Sequence, residues 1–238
     1  MRVNRQNQLL AALSPLRRSR IEAYAEHVVL SPGDVIADAG DRPQWAFFPE
    51  TGVISLLAMA REGSMEAGLV GSEGMIGMAL ILGGRGEVAR AVVQVEALGW
   101  RVPADALITE FRRGGQLTRN LFCYTETLVR FVAHAAACNG AHNPEQRFAR
   151  WLLAVSRRVR TPVLPLAAAN LGDVLGVSGE VVWRLRSSLV ARHVIETVGP
   201  NLRITDRRRL RAVACACDRT DAQELVQLRR ALTEGTHM

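Results

Sequence analysis

The chain has 238 residues, 48% of them hydrophobic and 22% charged, which suits one large core or two modest ones and excludes wholesale disorder. No apolar run of about 18 residues occurs, and Met1 to Asn7 is not followed by the apolar segment of a secretory signal. Membrane spanning and export are therefore not expected, and a cytoplasmic location is.

Charge is unevenly placed. All 30 basic residues are arginine, and residues 1–138 hold 14 of them against 14 acids, whereas residues 139–238 hold 16 against 9. The whole net charge of +7 falls in the C-terminal part, as expected of a surface that meets a polyanion, with an ordinary solvated arginine face as the plain alternative.

Gln8 to His27 reads as short helices, because Leu9, Leu10, Leu13, Leu16, Ile21 and Ala25 recur near helical spacing and Ser14-Pro15 can open a second one. From Val28 the period changes. Short apolar runs (28–30, 35–36, 45–48, 53–57, 65–70, 89–97 and 98–102) are divided by turns such as Ser31-Pro32-Gly33-Asp34, Ala39-Gly40-Asp41 and Pro49-Glu50-Thr51-Gly52. Many short strands closed by Gly and Pro predict a β-roll or jelly-roll-like barrel.

Pro103-Ala104-Asp105 opens a short helix, and a long one follows over 116–139. Its residues Leu117, Leu121, Tyr124, Leu128, Phe131, Ala135 and Cys138 alternate spacings of four and three. That heptad stripe predicts a coiled-coil-like dimer seam. Packing of the same stripe on the chain's own barrel is the alternative, and a wide apolar face can serve both. Asn143 then caps a further helix with Pro144 at its first position, and Phe148, Trp151, Leu152 and Val155 form its buried face.

Residues 166–189 carry the most information. A helix around 167–175 presents Leu171, Val174 and Leu175 to a core, Gly176 suits the left-handed position that ends it, and Val177 plugs the gap. Ser178 caps a second helix whose packed side is Val181, Val182, Leu185 and Leu189, and whose outer side holds Gly179, Glu180, Trp183 and Arg184. A short helix, a glycine turn and a capped second helix make a helix-turn-helix, although a hairpin used only for packing shares the pattern. Arg184 can donate two hydrogen bonds to a guanine edge and Glu180 can accept from a cytosine. Arg186 and Arg192 suit phosphates or solvent. Residues 194–198 and 202–205, joined through Gly199-Pro200-Asn201, form a two-stranded wing. Arg203 and the run from Arg207 to Arg211 then lie where they can straddle a phosphate backbone.

Across nearly its full length the chain resembles the catabolite-activator/fumarate-nitrate (Crp/Fnr) regulators. The residues that carry this are Gly33-Asp34, Ala39-Gly40-Asp41, the run Phe48 to Ser55, the long helix, Leu175-Gly176-Val177-Ser178, Glu180-Val181-Val182 and Arg184. The resemblance implies an α+β architecture: a cyclic-nucleotide-binding-like β-roll over 1–115, a dimerisation helix over 116–140 and a winged helix-turn-helix over 141–238. It also implies a homodimer on palindromic double-stranded DNA, with RNA polymerase as a further partner of an activator. In such regulators an arginine and a glutamate follow the cap serine. Here Gly179 stands in the arginine's place and Trp183 is large for an outer position, so altered base preference or weaker recognition is expected.

The family's ribose-binding glutamate and phosphate-binding arginine fall at Met78 and Ala89. Arg90, one place on, points to the other face of a strand. Control by cyclic nucleotide is therefore not expected, and the effector, if there is one, is left unnamed. The cysteines, Cys123, Cys138, Cys215 and Cys217, lack zinc-knuckle spacing, and none lies near the N-terminus, where the family's iron–sulfur ligands lie. They read as unpaired thiols, Cys123 and Cys138 as packing residues. His27, His134, His142 and His193 read as surface or capping residues. No cofactor or metal site is expected, while non-covalent haem remains open. No catalytic constellation is present, and Gly83-Gly84-Arg85-Gly86 is a turn, so an enzyme is not expected. The competing class is a ligand-binding or protein-interaction module with a degenerate helix-turn-helix.

Overall fold

Asn7 accepts, through its side-chain oxygen, hydrogen bonds from the backbone N–H groups of Leu9 and Leu10, and so caps α1 (Gln8–Ala11). The structure, a computed structural model, describes residues 6–84, 86–159, 161–166 and 171–234. Arg85 in the glycine turn, Ala167 to Asn170 at the start of the expected first helix of the helix-turn-helix, and His237 lie outside the described residues. After α2 (Pro15–Glu22) the chain becomes extended at Glu26, so His27 belongs to a strand rather than to the expected helical segment.

Seven strands follow: β1 (Glu26–Leu30), β2 (Val35–Ala37), β3 (Trp45–Pro49), β4 (Val53–Ala60), β5 (Gly63–Val70) and, after α3 (Ala79–Leu82), β6 (Arg90–Val95) and β7 (Ala97–Pro103). They form two antiparallel sheets, ordered β1-β7-β3 and β2-β6-β4-β5, which is the expected β-roll. Phe47, Ile54, Val70, Ile76, Ala91 and Val93 fill its interior. Gly52 makes the turn before β4 possible. Its φ is +86°, and a Cβ there would stand 2.4 Å from the Glu96 carbonyl oxygen.

α4 (Ala104–Arg112) leads into α5 (Gln116–Ala141). Here the dimer-seam expectation for the stripe is corrected. Leu117, Leu121, Tyr124, Phe131, Ala135 and Cys138 are all buried within the chain itself, and Leu128 is half-buried. Leu117, Leu121 and Tyr124 join Leu9, Phe48, Met75 and Val102 in one core, so the stripe serves the alternative, packing on the chain's own fold. Tyr124 Oη also donates to the Met75 carbonyl at 3.3 Å. The face left outward carries Phe122, Val129 and Val132, exposed by 55%, 63% and 42%.

α6 (Pro144–Val159) opens on a reciprocal cap. The Gln146 N–H donates to the Asn143 side chain at 3.0 Å, and the Asn143 N–H to that of Gln146 at 3.2 Å. The remaining elements are β8 (Val163–Leu164), α7 (Leu171–Leu175), α8 (Gly179–Ala191), β9 (Ile195–Val198), β10 (Asn201–Ile204), α9 (Arg207–Val213) and α10 (Cys217–Glu234). The strands form a small sheet ordered β8-β10-β9. α10 leaves the C-terminal domain and runs back along α5, putting Leu228 and Leu232 into the core that holds Leu9 and Leu121.

α6 is held on several sides by buried polar contacts. Arg158 Nε reaches Glu73 at 2.7 Å in the loop after β5, and Arg150 reaches Asp221 of α10 at 2.7 Å. The Trp151 indole donates to Glu66 of β5 at 2.8 Å, and Ser55 donates to the same carboxylate oxygen at 2.7 Å. Burial pushes Glu66 up to about 7, against the opposing pull of Ser55, Arg150, Trp151 and Arg158.

The folded protein therefore keeps a proton that the unfolded chain releases above about pH 4.5. This contribution to stability is full below pH 4.5 and disappears as pH rises towards 7. Glu66→Gln, which keeps an acceptor for Trp151, is expected to flatten that part of the pH profile. At pH 8 it should be the more stable protein by at most about 3 kcal/mol. Urea midpoints of both proteins across pH 4–8 check this; an unchanged slope in the variant would contradict it.

Candidate nucleic-acid interface

Gly176 takes φ +62°, and the Val177 N–H closes the turn on the Gly172 carbonyl at 3.1 Å. α7 can therefore stop after two buried leucines and a valine, Leu171, Val174 and Leu175. Ser178 is extended, with φ −66° and ψ 156°, and its Oγ accepts from the Val181 N–H at 3.5 Å, which starts α8. Val182 and Leu189 are buried and Val181 and Leu185 half-buried, so the packed side of α8 is the expected one. The opposite side presents Gly179, Glu180, Trp183 and Arg184 to solvent, Trp183 being 67% exposed.

The charged groups on this surface are not equally free. Arg184 lies 3.7 Å from Glu180 across one helical turn, a solvated pair of small energy. Arg186 donates to Thr197 Oγ1 on the wing at 3.0 Å, and Arg203 pairs with Glu196 at 2.6 Å along the β9–β10 hairpin. Arg192 is drawn to Glu145 at the start of α6, 3.0 Å away. In the arginine run, Asp206 caps α9 by accepting from the Arg209 N–H, and Arg207 turns inward to Ser156 at 2.7 Å. Arg208, Arg209 and Arg211 stay at the surface.

The β4–β5 hairpin stands against this domain. Ser64 Oγ donates to the Asp173 carbonyl at 3.4 Å, and a cleft of about 1080 Å³ separates the hairpin from α8. Met59, Glu62 and Met65 line one wall, Trp183 and Arg186 the other.

In the roll, Met78 and Ala89 are buried and uncharged. Arg90 leaves the interior for Asp38, with Nη2 at 2.7 Å and Nε at 3.1 Å, and this contact holds the Asp38 carboxyl below its usual range. Arg90 thus lies on the face expected from strand alternation. His27 pairs with Glu50 at 2.8 Å beside Trp100.

One grouping escaped the sequence. The four cysteines are free thiols, but Cys138, Cys215 and Cys217 come together with His142. The expectation of no metal site rested on separation along the chain, and the fold removes that separation. Cys123 stays outside the group.

Compared with known proteins, residues 146–213 match the Crp-like helix-turn-helix domain family. No curated protein matches the chain in sequence. Among solved structures, it is similar to a regulator of the Crp/Fnr family from Eubacterium rectale, at 14% identity, TM-score 0.66, over 86% of this chain and 96% of that one. FixK2 from Bradyrhizobium japonicum matches at 18% identity, TM-score 0.67, over 81% and 98%. The c-di-GMP responsive regulator CLP of Xanthomonas campestris matches at 14%, TM-score 0.63, over 81% and 100%. These likenesses show the fold: a β-roll, a long helix and a C-terminal helix-turn-helix.

A Cβ on Gly176 would meet the Met65 Cε at 2.6 Å as well as the cost of a left-handed backbone. Gly176→Ala is expected to destabilise the protein by about 1–2 kcal/mol. Adding Met65→Ala should relieve the clash and leave the backbone strain. Urea unfolding of both variants reads this out, and wild-type stability in Gly176→Ala would contradict it.

Proposed function

From a chain that has the fold of the Crp/Fnr regulators and carries a Crp-like helix-turn-helix domain, we propose a cytoplasmic, sequence-specific DNA-binding transcription regulator. It acts as a homodimer and is not controlled by cyclic nucleotide. The observation that carries this reading is the outer face of α8. Glu180, Trp183 and Arg184 are presented together next to the β9–β10 wing, in the part of the chain that holds the whole net positive charge. Ser178 and Gly179 lie at its leading end, where N–H groups and the helix dipole favour a phosphate. Arg186 ties α8 to the wing and Arg203 pairs within the wing, so both reach the backbone of a duplex only by exchanging their present partners for phosphate.

Arg184 reads base edges, and the arginines left at the surface of α9 position the duplex. Activation needs a further contact with RNA polymerase; repression needs only occlusion.

The dimer surface is the outward face of α5. Thr118, Phe122, Thr125, Val129, Val132 and Ala136 alternate spacings of four and three, each one place beyond the first six of the buried stripe. Along a helix about 39 Å long they form a seam for a second copy in which Phe122, Val129 and Val132 are the exposed apolar contacts. Such a pair sets two α8 helices at a fixed separation, which a palindromic site requires.

Independence from cyclic nucleotide is supported by the packed apolar interior of the roll and by Arg90, which is committed to Asp38. A buried cyclic phosphate there lacks a counter-charge. The second reading, an interaction module with a degenerate helix-turn-helix, is favoured by Gly179 in the arginine's place and by Arg186 and Arg203 being paired within the chain.

Selection of bound duplexes from a random pool, followed by Arg184→Ala, separates the two. A regulator yields a palindrome, loses roughly 10- to 100-fold in specific affinity in the variant, and keeps its salt-dependent non-specific binding. Recovery of no preferred sequence favours the module. Val129→Glu is expected to convert the dimer to a monomer in sedimentation, at unchanged helical content. Addition of cyclic AMP or cyclic GMP is expected to leave the melting temperature unmoved; a concentration-dependent rise would overturn that part of the proposal.

A further inference from the structure

Two pairs of side chains of metal-ligating type, remote from each other in sequence, meet where α5 ends and α10 begins. Cys138 and His142 stand one turn apart at the C-terminus of α5. His142 is the capping residue, and its N–H donates to the Cys138 carbonyl at 3.0 Å. Cys215 and Cys217 come from the turn that joins α9 to α10, Cys217 being the first residue of α10. The four ligand atoms all lie within 4.8 Å of one another, and the Cys138 and Cys215 sulfurs are 3.6 Å apart. A tetrahedral ion with metal–sulfur bonds of about 2.3 Å sets its sulfurs roughly 3.8 Å apart. A disulfide needs about 2.05 Å. The spacing is that of a coordination shell.

Charge supplies an independent argument. Arg147 of α6 is buried, and its guanidinium contacts only the Asn139 side chain and the Met65 sulfur, with no carboxylate partner among the described residues. Its Nε and that of Arg150 are buried donors with no hydrogen-bond partner among the described residues. Both guanidinium groups interact electrostatically with the sulfurs of this group. An uncompensated buried cation is costly. Three thiolates, a neutral imidazole and a divalent ion together carry one negative charge, which is what Arg147 lacks.

We propose that Cys138, His142, Cys215 and Cys217 form a tetrahedral binding site for a thiophilic divalent ion of the zinc class. Binding forms three metal–sulfur bonds and one metal–nitrogen bond and releases the three thiol protons to solvent. Four protein donors leave no open position, so the ion holds structure rather than performing chemistry. Cys138 and Cys215 are buried while His142 and Cys217 are half-exposed, which leaves an entry path from one side.

The ion cross-links the end of α5 to the start of α10 immediately before Asn143, where the chain turns into α6. Occupancy thereby fixes the helix-turn-helix domain relative to α5. This consequence for DNA rests on the regulator reading; the metal site itself does not.

The full-length chain, purified under reducing conditions and stripped with chelator, is titrated with cobalt(II) and then zinc(II). One equivalent of cobalt per chain is expected to give the intense visible absorption of a tetrahedral thiolate complex, and zinc to abolish it. Cys215→Ser should weaken cobalt binding by roughly 100-fold or more, since even outer-shell changes cost 10- to 100-fold. His142→Ala, at a half-exposed position, should do so with the fold intact by circular dichroism. An octahedral spectrum, wild-type affinity in both variants, or a Cys138–Cys215 disulfide that zinc does not prevent would overturn the site. Duplex binding is measured on the same samples. Tetrahedral cobalt with no duplex binding supports the site while refuting the regulator reading, and duplex affinity indifferent to zinc refutes the coupling alone.

Discussion

Helix α6 lies between the roll and α10 with three of its buried polar side chains, Arg150, Trp151 and Arg158, each tied to an acid on another element, and the arrangement of the other elements follows from that. Arg158 is held by Glu73 beneath the roll, Arg150 by Asp221 of α10, and Trp151 by Glu66 of β5. Burying such groups brings little net stability, because desolvation offsets most of the attraction. What they contribute is direction. Each donor is aimed at acceptors fixed in place, three of them for Arg158, whereas apolar surfaces such as Leu152 and Val155 tolerate sliding. Losing one partner would leave a buried charge alone, so α6 has one seating on the roll.

That seating explains why α5 presents two different faces. One face is taken up by the chain's own roll, by α1 and by the returning α10, so its heptad stripe is a core and not a seam. The other leaves Phe122, Val129 and Val132 largely uncovered by the described residues. On a helix of 26 residues, two stripes one residue apart have the same period and differ only in phase.

At the two positions where the family resemblance implies charged contacts to a cyclic nucleotide, the roll has Met78 and Ala89, both buried, and Phe47, Ile54 and Val93 occupy the interior. Among its connections to the C-terminal elements are the β4–β5 hairpin, which meets α7 at Ser64, and the contacts of Glu66 with Trp151 and of Glu73 with Arg158. The cysteine–histidine group sits elsewhere, where α5 ends and α10 begins.

Local chemistry made much of this legible in the sequence. Gly and Pro turns marked the strands because few other residues accept those dihedrals. Asn143-Pro144 marked the start of α6, and Gly176 with Ser178 marked the junction of α7 and α8, because capping is satisfied within three residues. The packed and outer sides of α8 could be read from helical period alone.

What the sequence could not decide depends on groups brought together over long separations. The phase of the α5 stripe was set by α10, a helix nearly a hundred residues later. Glu66 gave no signal beyond a carboxylate in an apolar strand, since its partner Trp151 is 85 residues away. Cys138 and Cys215, 77 residues apart, looked like unrelated thiols. Period and capping are short-range properties of the backbone, whereas burial and ligand convergence exist only once distant segments share a volume.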